Sequence, residues 1–179
     1  SGSVAPGLPV DFVAKVHAAV APKGTRLVVD VSGKALHHLL AHPVRLHVLR
    51  IDHEESVTAA GNPLDTVEDS RRFAEALVAQ GVAEIVVTGR GAEGSVLVSC
   101  DTQLFNRTPP VAVRSKIGAG DTFVGAFTLS LARGEGLVDA LCRGVAGASA
   151  AVSSEGTALC TQADADALFA QCRSENIRP

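Results

Sequence analysis

The chain has 179 residues, 46% hydrophobic and 20% charged, with a formal net charge of −3. That balance suits one globular domain with a full core, sets aside intrinsic disorder, and gives no general attraction for nucleic acid or an anionic membrane. No apolar run reaches the roughly 18–20 residues of a membrane span, and the longest is interrupted by Asp139 and Arg143.

The opening Ser-Gly-Ser-Val-Ala-Pro-Gly reads as a loop entered from a preceding strand, without Met and without the charged and apolar regions of a signal peptide. The expectation is a fragment or processed chain that starts inside a domain. Val10, Val13, Val16 and Val20 recur at helical spacing, predicting a helix over 9–21 with Pro9 at its first position. Residues 27–31 form the short apolar run of a buried parallel strand. Ser32 can cap a helix over 34–41. A second strand over 46–50 leads to Asp52 and a short helix ending near Gly61. Asp65 or Thr66 caps a longer helix through Gln80, with Phe73, Leu77 and Val78 as its apolar stripe and Gly81 as its stop. Residues 85–88 make a third buried strand, and 95–100 with 104–107 a hairpin through Asp101 and Thr102. Pro109 and Pro110 break the pattern before 111–114, and helices over 120–132, 137–153 and 163–173 finish the chain. Strands alternating with helices predict an α/β fold with a mostly parallel sheet and a small antiparallel edge.

The most informative stretch is 117–127, Ile-Gly-Ala-Gly-Asp-Thr-Phe-Val-Gly-Ala-Phe. A glycine turn opening a helix directs unpaired N–H groups to one side and suits an anion. Asp121 would repel a phosphate there unless it takes the proton of an attacking hydroxyl, so the feature reads as phosphoryl transfer to an alcohol. The plainer reading is an acidic residue favoured in a first helical turn by capping and by the macrodipole.

Other motifs are weaker. Residues 89–94 satisfy G-x-G-x-x-G after a strand, but β-patterned residues follow where a dinucleotide fingerprint needs a helix. The run is a plain turn or a surface for a nucleotide. Asp52 and Glu55 share one face of a first turn, fitting either a water-rich Mg²⁺ site or an N-cap with acidic neighbours. His38 and His42 have i,i+4 spacing without the Glu of a zinc protease. Cys100, Cys142, Cys160 and Cys172 are scattered with no Cys-x-x-Cys pair, so no zinc site is expected and the thiols are read as reduced, as in a cytoplasmic protein. Neither a Gly-x-Ser-x-Gly elbow nor a Walker A sequence is present.

Ile-Gly-Ala-Gly-Asp-Thr-Phe, preceded some hundred residues earlier by Ser-Gly-Ser-x-x-Pro-Gly, resembles the PfkB/ribokinase family of sugar kinases over essentially the whole chain. Gly156-Thr157-Ala158-Leu159-Cys160 is similar to the branch acting on phosphorylated hexoses, the ribokinase-like 6-phosphofructokinases with 1-phosphofructokinase and tagatose-6-phosphate kinase. The resemblance implies a ribokinase-like fold and ATP-dependent phosphorylation of a hexose phosphate, with fructose 6-phosphate favoured. Asp121 would be the general base, the backbone of Gly118, Ala119 and Gly120 the anion hole, and Ser3 a sugar-phosphate contact. Asp52 and Glu55 fall on an Asn-x-x-Glu motif that organises Mg²⁺ and nucleotide phosphates. Asp52 replaces the Asn, and Arg50-Ile51 stands where Lys-Pro is common. Arg50, Gly91, Gly94, Gly144 and Ala148 would serve the nucleotide. Ser115, Ile117, Ala150, Ser153, Glu155 and Thr157 would surround a monovalent cation such as K⁺, with Lys116 replacing a usual Thr. The family's amino-terminal half supplies sugar-binding glycines and a β-sheet lid used in dimerisation, so residues 1–179 read as the carboxy-terminal, nucleotide-binding region of a homodimeric enzyme. A nucleotide-binding module without catalysis is the alternative, and a dinucleotide-dependent oxidoreductase a weaker third.

Overall fold

The computed structural model describes residues 2–178, so Ser1, the first residue of the opening motif, and Pro179 lie outside the described residues. The chain divides into two compact units, one running to Gly89 and including Val96–Gln103, the other made of Arg90–Ser95 and the chain from Leu104 onward.

In the first unit the order is α1 (Phe12–Val20), β1 (Val28–Asp30), α2 (Gly33–Ala41), β2 (Leu46–Ile51), α3 (His53–Ala60), α4 (Val67–Ala79) and β3 (Ala83–Gly89). β1 pairs parallel with β2, Asp30 opposite Arg50, and β2 pairs parallel with β3, Arg50 opposite Val87 and Ile51 opposite Thr88. Parallel neighbours need a crossover, which the intervening helices supply. Leu46, Val48, Leu49 and Ile51 are buried, so β2 is covered on both faces and lacks the alternation of a half-exposed strand. Leu36 and Leu39 of α2 and Ala74 and Leu77 of α4 complete this core. Two helices open on reciprocal caps, Asp52 with Glu55 on α3 and Thr66 with Asp69 on α4. α1 begins later than the valine spacing predicts. The Phe12 N–H donates to the Pro9 carbonyl at 3.0 Å, placing Pro9 in a turn ahead of the helix.

A short 3₁₀ turn, Gly91–Glu93, follows β3, so the glycine run at 89–94 opens no α-helix and the dinucleotide fingerprint fails on structure as on context. β4 (Gly94–Ser99) and β5 (Gln103–Arg107) are the expected hairpin strands. The second unit continues with α5 (Ala119–Ala132), α6 (Leu137–Ser153), α7 (Gln162–Phe169) and β6 (Ser174–Asn176). β5 and β6 are antiparallel, with Asn106 opposite Ser174, and the strands run in the order β1-β2-β3-β4-β5-β6. This is the expected α/β architecture with an antiparallel edge. β6 lies just past a helix that ends at Phe169, several residues before the predicted end at 173. Its three polar residues carry no alternation, so only pairing with β5 makes them a strand.

α5 and α6 pack closely because α6 presents glycines. A Cβ on Gly144 would lie 2.8 Å from ring atoms of Phe123, and one on Gly147 would lie 3.2 Å from the Ala126 Cβ. Arg143 stacks 3.8 Å above the Phe169 ring and donates to Asp166 at 2.7 Å, fastening α7 to α6. Among the described residues no helix is long and apolar enough to cross a membrane.

Candidate active site

The first unit gathers charge at the carboxyl ends of its parallel strands, where open α/β sheets bind ligands. Gly2 forms a parallel bridge to Val31, which brings the exposed Ser3 to the end of β1. Arg50 on β2 donates to the buried Asp30 of β1 at 3.2 Å. A Cβ on Gly89 would meet the Arg50 guanidinium at 3.4 Å and the Asp52 backbone at 3.7 Å, so the end of β3 lies against both.

Asp52 and Glu55 form the helix cap that was one of the two readings left open by the sequence. The Glu55 N–H donates to Asp52 Oδ1 at 2.8 Å and the Asp52 N–H donates to Glu55 Oε2 at 3.1 Å. The cap employs one oxygen of each carboxylate, and the second oxygens, Oδ2 and Oε1, take no part in it. The Glu55 carboxyl is pushed above its usual range, first by burial and then by the charges of Asp52 and Asp30, against the pull of the Asp52 N–H and of Arg50.

The second unit holds the glycine turn. Gly118 is the N-cap of α5 with φ +78°, a left-handed conformation that only glycine adopts cheaply. Gly120 lies inside the first turn and adds no side chain to its surface. The first helical bond runs from the Thr122 N–H to the Gly118 carbonyl at 2.9 Å. The N–H groups of Ala119, Gly120 and Asp121 therefore have no carbonyl of their own helix. Asp121 is exposed in that turn, and Gly118, having no side chain, supplies no side-chain cap.

Gly91 has φ +58° and open space around it, whereas Gly94 is buried with φ +141°, and a Cβ there would run into the Asn106 carbonyl. Strand packing thus accounts for Gly94, and Phe123 accounts for Gly144. Ala148 is half-buried on the same helix. The cation candidates come partly together. The N–H groups of Arg114 and Ser115 donate to the Val152 carbonyl at 2.8 and 3.2 Å, and Arg114 pairs with Glu155 at 2.8 Å. Ser115 and Ile117 are thereby drawn to the end of α6, where Ala150 is buried and Ser153 donates to the Ser149 carbonyl. Thr157 is exposed, with no described bond to the others. No group of three His, Cys, Asp or Glu side chains converges among the described residues. A feature the sequence did not signal is a buried cluster of Cys142, Cys172, Asn106 and Ser174, whose members lie far apart in the chain.

The chain is 34% identical over 170 residues to the ATP-dependent 6-phosphofructokinase isozyme 2 of Escherichia coli K12, covering 95% of this chain and 55% of that protein. It is 35% identical over 133 residues to the 1-phosphofructokinase of Xanthomonas campestris, covering 73% of this chain and 42% of the relative. Crystal structures of the Escherichia coli phosphofructokinase-2 superpose with a TM-score of 0.87 in complex with substrates and products, at 33% identity over 96% of this chain and 55% of that one, and of 0.86 in complex with potassium, at 32% over 94% and 54%. The chain thus spans about half the length of these relatives. The model of the pfkB family of carbohydrate kinases matches residues 1–164, and the chain belongs to that family.

Proposed function

We propose that the protein containing this chain transfers the γ-phosphoryl group of ATP to a hydroxyl of a hexose phosphate. Fructose 6-phosphate is the favoured acceptor, with the substrates of 1-phosphofructokinase and tagatose-6-phosphate kinase next. The observation that carries the reading is the head of α5, where three N–H groups lack helical partners beside the exposed Asp121. Phosphoryl transfer needs charge stabilisation and a positioned proton acceptor, and little else. Ala119, Gly120 and Asp121 would direct their N–H groups at the migrating phosphoryl oxygens, while the Asp121 carboxylate receives the hydroxyl proton late in the reaction.

Asp52 and Glu55 fit Mg²⁺, since each keeps a hard oxygen outside the cap and such ions prefer one or two carboxylates plus water and phosphate. Bound there, Mg²⁺ would neutralise charge on the nucleotide phosphates. Arg50 would pair with a phosphate, Gly91 would let the nucleotide approach the turn backbone, and Ala148 would border the base. Gly94 and Gly144 would act through the packing they permit, and Ser3 would meet the sugar phosphate. The junction of Ser115 and Ile117 with Ala150, Ser153 and Glu155 suits a K⁺ ion held mainly by carbonyls, with Thr157 beside it, a reading supported by the potassium complex of the Escherichia coli protein. A homodimeric enzyme in the cytoplasm, with ATP and sugar phosphates at hand, completes the proposal.

Calorimetry with MgATP followed by a coupled kinase assay on the chain tests binding and turnover separately. In an enzyme that turns over, Asp121→Asn is expected to lower kcat roughly 10²–10⁴-fold with little change in KM for ATP. Near-normal turnover would remove Asp121 from the mechanism. The second reading is a nucleotide-binding module without catalysis. Binding without turnover would select it.

A further inference from the structure

The cysteine cluster is independent of the phosphate chemistry. Cys142 on α6 and Cys172, two residues before β6, are both buried, at 6% and 4% exposure, and each thiol is the largest single influence on the other. The Cys142 sulfur also accepts from Asn106 Nδ2 at 3.0 Å and has Ser174 Oγ at 3.5 Å. The Asn106 N–H directed at the sulfur favours its thiolate, and the Ser174 hydroxyl beside it is able to donate as well. The Cys172 thiol, then Ser174 and Asn106, hold Cys142 below the usual thiol range, against burial and the charge of Asp139. Cys172 is held above that range by Cys142 and by burial, with Arg173 pulling weakly the other way. One sulfur is thus disposed to react and its neighbour to remain a protonated thiol. Ser174 of β6 lies against the Cys142 sulfur, and β6 is three residues long and mostly exposed, a segment that opens more readily than a core strand.

We propose that Cys142 and Cys172 form a redox-active dithiol, which a hydroperoxide closes into an intrachain disulfide joining α6 to the segment that leads into β6. The Cys142 thiolate attacks a peroxide oxygen and the O–O bond breaks. The sulfur loses two electrons to become a sulfenic acid, and the departing hydroxide takes a proton and leaves as water. The Cys172 sulfur then attacks the sulfenic sulfur. An S–S bond forms, the S–O bond breaks, and the Cys172 proton leaves with the hydroxide as a second water. A dithiol reductant reverses the closure.

The test exposes the 179-residue chain to hydrogen peroxide, blocks remaining thiols, and maps disulfides by peptide mass. The expected product links Cys142 to Cys172, is about 2 Da lighter, and returns to the dithiol on reduction. In a Cys100→Ser/Cys160→Ser variant, which keeps both buried thiols, closure is expected to be roughly tenfold faster in buffer than in urea. Cys142 and Cys172 still free when the peroxide is consumed, either one bonded elsewhere, or equal rates folded and unfolded would each overturn the proposal.

Discussion

Replacing Gly144 by alanine adds one methyl group where α6 meets α5. The new Cβ would sit 2.8 Å from Cε2 and Cζ of Phe123 and 3.0 Å from Cδ2. Carbon atoms pack best at about 3.5–4.0 Å, so the ring or the helix has to move by roughly 1 Å. Phe123 has little room to yield, because it is buried and stacks on the equally buried Phe127 with centroids 5.8 Å apart. Overpacking of this kind costs about 1–3 kcal/mol, while the Gly-to-Ala change in a helix returns at most about 1 kcal/mol. The net expectation is a loss of about 1–2 kcal/mol, or a Tm lower by about 2–8 °C for a chain of this size. Gly125→Ala is the matched control. It lies on α5, is exposed, and has nothing within 4 Å of its added Cβ, so it should gain up to about 1 kcal/mol from propensity alone. Urea unfolding of both variants beside the parent chain reads the difference. Stabilisation by both alanines, or no loss from Gly144→Ala, would refute the view that Gly144 is present to admit Phe123.

Gly118→Ala places a side chain at φ +78° with no steric neighbour, so its cost is that of the left-handed backbone, roughly 1–2 kcal/mol. Unfolding should show that loss and calorimetry a weaker affinity for MgATP; unchanged values for both would mean that the turn is not held in this conformation. Glu55→Gln preserves the cap acceptor and removes a charge whose burial raises the carboxyl above its unfolded value of 4.5. A raised carboxyl binds more protons folded than unfolded, so the native Glu55 loses stability as pH rises through that interval. The variant is therefore expected to be more stable than the parent at pH 7, with the advantage gone below pH 4.5, and to bind Mg²⁺-nucleotide less well. A stability difference that does not change with pH would contradict the assignment.

Much of this could be read from the chain itself where the signal is local. Apolar runs at 46–50 and 85–88 suit strands covered on both faces, and Asp52, Thr66 and Gly81 mark helix ends through bonds within a few residues. The glycine turn before Asp121 is equally local: its conformation and its unpaired amides follow from neighbouring backbone. Where a residue packs against distant partners, the sequence by itself does not show the constraint. Gly94 and Gly144 were expected at the nucleotide, and the structure shows what each must avoid, the Asn106 carbonyl and the Phe123 ring. β6 was invisible because three polar residues become a strand only beside β5.

Linear order and short-range chemistry thus determined the succession of elements, the caps and the acid at the head of α5, since hydrogen bonds and glycine torsions act over four residues or fewer. Tertiary structure alone decided that Asn106 and Ser174, far apart in the chain, would meet at the Cys142 sulfur, and that Asp30 would meet Arg50 across two parallel strands. Burial creates those contacts, because a thiol or a carboxylate withdrawn from water is stable only beside whatever donors the fold happens to bring within reach.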